Sequence, residues 1–323
     1  MCMPLNAINA ANIGIKPKGK NKFRIFMRDL RKSRYLYILL IPTIIYFIIF
    51  AYVPLYGLLM AFENYNPYQG IFGSPWIGLR HIKNFFSSVF FWRLIANTIS
   101  INLYNLAVGF PLPILLALMI NEVKNKAYQR TVQTIVYLPH FISLVVVAGM
   151  LVSFLSPSSG IVNALIQALG GDPIHFLAEP GWFQSVYVWS GVWQDAGWGS
   201  IIYLAALAGI DQQLYEASTV DGANSWHKLI YITIPGIMPT IIIMLILRMG
   251  SIFSVGFEKI ILIYNPLTYK TADVISTYIY RRGIVGADFS YSTAIGLFNS
   301  IINFVMLVVF NKFSRRVSET SLW

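Results

Sequence analysis

A group of aromatic and polar residues within one long apolar run is the first candidate for chemistry in this sequence. On a helix, Trp189 and Trp193 share one face, and Gln194 and Trp198 form an adjacent stripe. Asp195 lies beside them. Sugar rings stack on aromatic faces and hydrogen-bond to amides and carboxylates, so the group is suited to line a saccharide path. The alternative is the aromatic belt at a membrane surface, which does not fit Trp198 because it lies too deep in the run.

Charged residues also occur inside the apolar runs. Arg248 lies near the middle of the run that follows, and Glu258 lies nearer its outer end. A charge at mid-membrane costs roughly 2.5–3.5 kcal/mol on insertion scales, so each needs a partner or water. Asp195 and Arg248 either form a buried ion pair that holds two helices together, or both line a hydrated cavity. Together with Glu258 they are candidates for a substrate path.

Enzyme chemistry is not indicated. The four histidines are scattered, without metal-ligand spacing: His81, His140, His175 and His227. Gly14, Gly19 and Lys20 have the spacing of a phosphate-binding loop, but Asn21 stands where Ser or Thr would bind the metal. We expect no catalytic residue, no metal site and no cofactor in this chain, so ATP hydrolysis, if required, must come from a partner.

The polar segment 209–235 separates two long apolar runs and has a helical pattern of its own. Asp211 can cap a helix that runs to about Val220, and Gly222 ends it, because glycine makes such a turn with least strain. Glu216 is placed to pair with a partner's cation. Small residues nearby would let another surface approach closely; they are Ala217, Ser218 and Ala223.

A second helix is predicted from Ala223 to about Thr233. Pro235 is expected to interrupt it and to redirect the chain into the next apolar run. The segment is therefore expected to form two short helices at an angle, at a membrane face. It has the character of a docking element for a partner that never enters the membrane.

Composition places these features in a membrane protein. The chain of 323 residues is 56% hydrophobic and only 11% charged, with a mean hydropathy of +0.62; soluble domains carry about 25% charged residues. The apolar runs are long and continuous, so an all-α polytopic fold is predicted rather than a barrel. Six transmembrane helices are expected, near 35–61, 94–120, 131–155, 184–208, 236–263 and 290–311.

The distribution of positive charge sets the expected orientation. A basic leader (1–34) precedes the six-helix domain (35–315), and a short tail (316–323) follows it. With both termini in the cytoplasm, the inner segments hold 16 Lys and Arg and the outer segments hold 6. The net charge of +11 is concentrated in the leader, which suits contact with anionic lipid headgroups and not nucleic acid. Short surface helices are expected outside, within 76–86 and 161–169.

The segment 209–235 resembles the signature loop of the permease subunits of binding-protein-dependent ABC importers. That signature is Glu-Ala-Ala, three residues, Gly, nine residues and Ile-x-Leu-Pro. In this chain it is carried by Glu216, Ala217, Ser218, Gly222, Ile232, Thr233, Ile234 and Pro235. Ser218 for Ala and Ile234 for Leu are mild departures, and the centre from Asp221 to Ala223 is typical of the sugar-transporting branch.

The resemblance implies a maltose-type importer in the bacterial cytoplasmic membrane. A second permease subunit would complete a heterodimer, two ATPase subunits would bind ATP and Mg beneath the loops, and a solute-binding protein would dock outside. Glu216 would meet a basic residue of the ATPase, and Gly222 would set the helix angle. Closure of the ATPases would rock the spans in alternating access.

The sequence constrains the substrate, and the choice among competing functions, less than it constrains the family. The chain also resembles the larger permease of alginate oligosaccharide importers, which implies an acidic saccharide. Basic residues outside or in the outer part of the fifth run could touch such an anion: Arg80, Lys83, Arg93, Lys259, Lys270, Arg281 and Arg282. The alternatives are an ion- or proton-coupled secondary transporter that uses Asp195 and Glu258 as carriers, and a membrane scaffold without transport.

Overall fold

The computed structural model describes residues 33–250 and 256–317, without the side chains of residues 34 and 313–317. Regular structure in these ranges is helical apart from one isolated bridge, between Glu63 and Trp76. Residues 33–57 form a unit that is described separately from the larger unit starting at Leu58. Most of the predicted leader and tail (1–32 and 318–323) lies outside the described residues, so both assignments remain predictions.

The first half of the chain contains eight α-helices in the described range. They are α1 (Arg34–Phe47), which continues through a π-helical turn (Ile48–Tyr52) and a 3-10 helix (Val53–Phe62), α2 (Gly70–Gly73), α3 (Arg80–Phe86), α4 (Phe91–Gly109), α5 (Pro111–Asn121), α6 (Lys126–Tyr137), which continues into a 3-10 turn (Leu138–Phe141), α7 (Leu144–Phe154) and α8 (Ile161–Ala168).

The second half contains the longest helices. They are α9 (Pro180–Ala208), α10 (Gln212–Val220), α11 (Ser225–Lys228), which continues through a π-helical turn (Leu229–Thr233) into α12 (Ile234–Gly250), α13 (Phe257–Ile263), α14 (Tyr269–Ala272), α15 (Ile275–Tyr280), which continues into a π-helical turn (Arg281–Val285), and α16 (Phe289–Val317). Helices are present at both places where surface helices are expected, as α3 and α8; their position at the membrane surface remains a prediction.

Four continuous helical stretches in the described ranges are long and apolar enough to cross a membrane: Tyr35–Phe62, Phe91–Asn121, Ser225–Gly250 and Phe289–Lys312. Counted as one span, the bent pair Lys126–Phe141 and Leu144–Phe154 makes a fifth. The chain is therefore a multi-pass, all-helical membrane protein. The predicted fourth span, 184–208, is one helix of 29 residues (α9), but its many polar residues keep it outside that set, so the number six stays a prediction.

Two of the predicted spans contain more than one helix. The run 131–155 bends by 94° between α6 and α7. Pro139 lies in the intervening turn, where its missing N–H is tolerated, and the Ser143 side chain then caps α7 by accepting from the Val146 N–H at 3.4 Å. The run 236–263 is divided into α12 and α13, and its connection 251–255 lies outside the described residues.

Helix α9 lies at the centre of the larger unit. It packs against α4, α5 and α12, and its buried Phe183 and Val188 form a core cluster with Ile101 and Ile260. At Gly197 a side chain would overlap the carbonyl of Val136. Glycine therefore lets the end of α6 approach the α9 backbone directly.

Candidate functional site

A cavity of about 480 Å³ lies beside α9, α12 and α13 and is also lined by residues of α4, α5 and α7. Its charged lining residues are Asp195, Arg248, Glu258 and Lys259, and its amide side chains are Asn105 and Gln194. Two cations and two carboxylates around one space provide both charge and hydrogen-bonding capacity. A polar ligand with several hydroxyl or carboxylate groups matches such a lining.

Four of the seven substrate-path candidates predicted from sequence meet at this cavity: Gln194, Asp195, Arg248 and Glu258. The three tryptophans are not among its lining residues. Trp189 donates from Nε1 to the Tyr104 hydroxyl at 3.0 Å, and Trp193 is 48% exposed. All three tryptophans lie on α9 and are 45–53% exposed.

Lys259 enters the cavity wall from α13 and is only 7% exposed. Its ammonium donates to the backbone carbonyl of Tyr187 at 3.0 Å and lies 5.2 Å from the centroid of the Tyr187 ring. Gly191 leaves room for it, because a Cβ there would stand 3.2 Å from Nζ. Sequence reasoning treated Lys259 as one of several outer cations and missed this burial.

Asp195 is bound by a residue that the sequence did not single out. His140 Nδ1 lies 3.0 Å from Asp195 Oδ1. The same imidazole stacks on Trp198, with ring centroids 4.7 Å apart and planes 5° apart. Asp195 and Arg248 both line the cavity, and the Asp195 carboxylate is paired to His140.

The first part of the segment 209–235 folds as the residues predict. The Asp211 side chain caps α10 by accepting from the Gln213 N–H at 2.9 Å. Gly222 has φ +77°. The Ala223 N–H bonds to the Ser218 carbonyl at 2.9 Å and the Gly222 N–H to the Thr219 carbonyl at 3.2 Å, which is the Schellman ending of a helix.

The second part differs from the prediction, because Pro235 does not interrupt the helix. Helix α11 passes through the π-helical turn into α12 without a break, as a continuous stretch from Ser225 to Gly250. The Ile234 N–H reaches back five residues to the Leu229 carbonyl. This wide turn relaxes the crowding that a proline ring causes in a regular helix, and Pro235 has no N–H to leave unpaired.

Most of the predicted coupling residues are accessible. Glu216, Ala217, Asp221, Gly222 and Pro235 are exposed, and Ser218 and Ala223 are half-buried. Large apolar side chains around them are exposed as well: Leu214, Val220, Trp226 and Tyr231. An apolar surface that carries the carboxylates of Glu216 and Asp221 is suited to a protein partner. Its role in coupling remains a prediction.

An ion-pair network around Asp273 links α4 to the π-helical turn after α15, and the sequence did not anticipate it. Asp273 is fully buried, and both guanidinium nitrogens of Arg281 donate to it, at 3.1 and 2.6 Å. The Arg93 guanidinium is 3.6 Å away. Burial opposes the charge of Arg281, but the bonds with Asp273 raise the pKa of its guanidinium. Arg93 and Arg281 are thus engaged within the protein and are not simple surface cations.

Comparison with known proteins gives the class of the chain. The family described as "Binding-protein-dependent transport system inner membrane component" matches residues 109–319. Protein LplB of Bacillus subtilis (strain 168) is 41% identical over 92% of this chain and 94% of its own length. The polygalacturonan/rhamnogalacturonan transport system permease protein YteP of the same organism is 38% identical, over 94% and 95%.

A solved structure agrees with these relatives. A chain of a bacterial ABC transporter involved in the import of the acidic polysaccharide alginate superposes with a TM-score of 0.85, at 49% identity, over 91% of this chain and 99% of that chain. A second structure, of an alginate ABC transporter with its alginate pentasaccharide-bound periplasmic protein, matches equally well.

The chain belongs to the family of binding-protein-dependent transport system inner membrane components. It is a permease subunit of an ABC importer, which is a transport component and not an enzyme. The family predicted from the segment 209–235 is confirmed. This membership decides against the secondary-transporter and scaffold alternatives.

Proposed function

We propose that this permease forms half of the translocation pathway for an acidic oligosaccharide, and that a second, different permease subunit forms the other half. The observation that carries the proposal is the polar cavity on α9, α12 and α13. Arg248 and Lys259 supply cations for a uronate carboxylate, and Asn105 and Gln194 supply amides for sugar hydroxyls. Alginate, polygalacturonan and rhamnogalacturonan in the relatives' names are acidic polysaccharides.

Coupling to ATP hydrolysis runs through the segment 209–235. Two partner ATPase subunits bind ATP and Mg, and one of them receives α10, with Glu216 facing a basic residue of that subunit. Helix α12 carries Arg248 at the cavity and is continuous with α11 beside the docking surface. A push on the α10–α11 pair therefore reaches the cavity wall through one helical stretch.

The membrane arrangement completes the proposal. Six spans cross the cytoplasmic (inner) membrane of a bacterium, with the leader 1–34 and the tail 316–323 inside. An extracytoplasmic solute-binding protein delivers the saccharide from the other side. Helix α9 is the additional span: it is helical over 29 residues, or about 43 Å at 1.5 Å per residue, which exceeds the hydrocarbon thickness.

The test is ATPase activity of the whole complex reconstituted in lipid, with and without the binding protein. Uronic-acid and neutral oligosaccharides are titrated into wild type and Glu216→Lys. We expect stimulation by binding protein and uronic-acid saccharides in wild type, and at least a tenfold loss in Glu216→Lys. Glu122→Lys, an equal charge change at an exposed turn after α5, is the control and should keep the stimulation.

Each part of the proposal has its own contrary result. Stimulation by neutral saccharides alone would overturn the acidic substrate. Full stimulation in Glu216→Lys would overturn the docking role of α10. Uptake that persists without ATP would overturn the coupling to ATPase subunits.

A further inference from the structure

We propose that His140 is an internal ligand of the Asp195–Trp198 pair, and that a saccharide binds this pair only by displacing it. The inference rests on the proposed function, because it assumes that a saccharide passes this part of α9. It adds a residue outside the cavity lining that sets how strongly the pathway holds its substrate.

The two contacts of His140 imitate those of a sugar. Its flat ring lies parallel to the Trp198 indole, at 4.7 Å between centroids and 5° between planes, where the face of a pyranose would stack. Its Nδ1 lies 3.0 Å from Asp195 Oδ1, where a sugar hydroxyl would donate. One side chain thus satisfies both the aromatic face and the carboxylate.

The pair is accessible once the imidazole leaves. The side chain of Asp195 is 61% exposed and that of His140 is 34% exposed, and Trp198 is 45% exposed. Asp195 also lines the cavity, so its carboxylate faces a saccharide in the cavity once the imidazole has left. Phe141 meets the Trp198 ring edge-on at 5.6 Å and supports the indole from another side.

The backbone around His140 is held independently of its side chain. Before it, the Val136 carbonyl packs directly on Gly197. After it, the Ile142 carbonyl accepts from Gln194 Nε2 at 2.9 Å. Both contacts tie the turn between α6 and α7 to α9, so rotation of the His140 side chain is enough to release Asp195 and Trp198.

An internal competitor weakens the apparent affinity for saccharide, because only the molecules in which the competitor has left the site can bind it. If His140 covers the pair in about nine tenths of the molecules, its removal strengthens saccharide binding about tenfold. A purely structural role predicts the opposite, since loss of a supporting contact weakens the site. The sign of the change therefore separates the two roles.

The experiment measures binding of a uronic-acid tetrasaccharide to the detergent-solubilised full complex, by calorimetry and without the binding protein. His140→Ala should bind about tenfold more tightly than wild type. His140→Phe, which keeps the stacking but loses the bond to Asp195, should gain less. His175→Ala, at an exposed histidine far along the chain, should match wild type.

The outcomes are distinct from those of the proposed function. Equal or weaker binding in His140→Ala, with an intact complex whose ATPase the saccharide still stimulates, overturns the role of His140. The role of His140 is also overturned if neither the wild-type complex nor His140→Ala binds the tetrasaccharide while the ATPase stimulation of both is normal. If no saccharide stimulates the wild-type ATPase, the proposed function itself fails.

Discussion

The hydroxyl groups of Tyr215 and Thr233 lie 2.9 Å apart and join α10 to the π-helical turn that leads into α12. Thr233 also donates to the Lys228 carbonyl at 3.2 Å, and the Lys228 ammonium returns to Thr219 on α10 at 2.7 Å. The two short helices are therefore linked at two points beyond the turn at Gly222. They can transmit force as one body.

We predict that Tyr215→Phe weakens this link. The change removes one hydrogen bond, worth about 1 kcal/mol, and leaves the exposed docking surface unaltered. ATPase stimulation by the binding protein should fall severalfold, while basal ATPase activity and assembly of the complex are retained. Tyr128→Phe is the matched control, because Tyr128 is 61% exposed on α6, outside the docking surface; equal losses in both variants would contradict the role of the bond.

The turn at Gly222 gives a second prediction. A Cβ there would meet no atom within 4 Å, but φ is +77°, so Gly222→Ala introduces backbone strain of about 1–2 kcal/mol without a clash. The strain should change the angle between α10 and α11 and reduce ATPase stimulation. Gly222→Asn should retain more activity than Gly222→Ala, since asparagine tolerates left-handed φ better; the reverse order would rule out a conformational cause.

A third prediction concerns the contact between α6 and α9. Gly197→Ala places a methyl group on the Val136 carbonyl, which must separate the two backbones. We expect a loss of several degrees in Tm of the purified complex, in line with overpacking costs of about 1–3 kcal/mol. Gly181→Ala on the same helix, where a Cβ has no neighbour within 4 Å, should leave Tm unchanged or raise it slightly.

The ion-pair network around Asp273 provides a fourth prediction. Asp273→Ala leaves Arg281 and Arg93 without their shared carboxylate, so unfolding should become easier by roughly 2–3 kcal/mol, less than for a fully buried pair. Arg281→Met should cost a similar amount. In the double variant the losses should not add, and full additivity in thermal unfolding would show that the pair is not coupled.

Lys259 provides a fifth prediction, on substrate charge. Lys259→Met keeps most of the side-chain volume but removes the buried cation from the cavity wall. Stimulation by uronic-acid saccharides should fall at least tenfold, with half-saturation moved to higher concentration, while any response to neutral saccharides is retained. Lys124→Met, at an exposed lysine between α5 and α6, is the control. A uniform loss for both saccharide classes would indicate a structural role instead.

The local signals in the sequence were sufficient for the segment 209–235 up to Gly222. The cap at Asp211 and the turn at Gly222 depend on hydrogen bonds between residues close in sequence. The spacing of these two residues therefore predicts the cap, the helix between them and the turn. The same spacing carried the resemblance to the permease family. The break predicted at Pro235 was wrong, because a π-helical turn accommodates the proline. Whether the chain forms such a turn or a break depends on packing around α12, which the local sequence does not specify.

The sequence also determined that this is a helical membrane protein, since run length and composition set that property without reference to any contact. Only the tertiary structure decided which polar groups meet. His140 and Asp195 are 55 positions apart, and the bond from Lys259 to Tyr187 spans 72; neither spacing leaves a periodic signal. Those pairings follow from how α9 packs against its neighbours. The sequence could therefore identify Asp195 and Trp198 as candidate site residues, but it could not show that His140 contacts both of them.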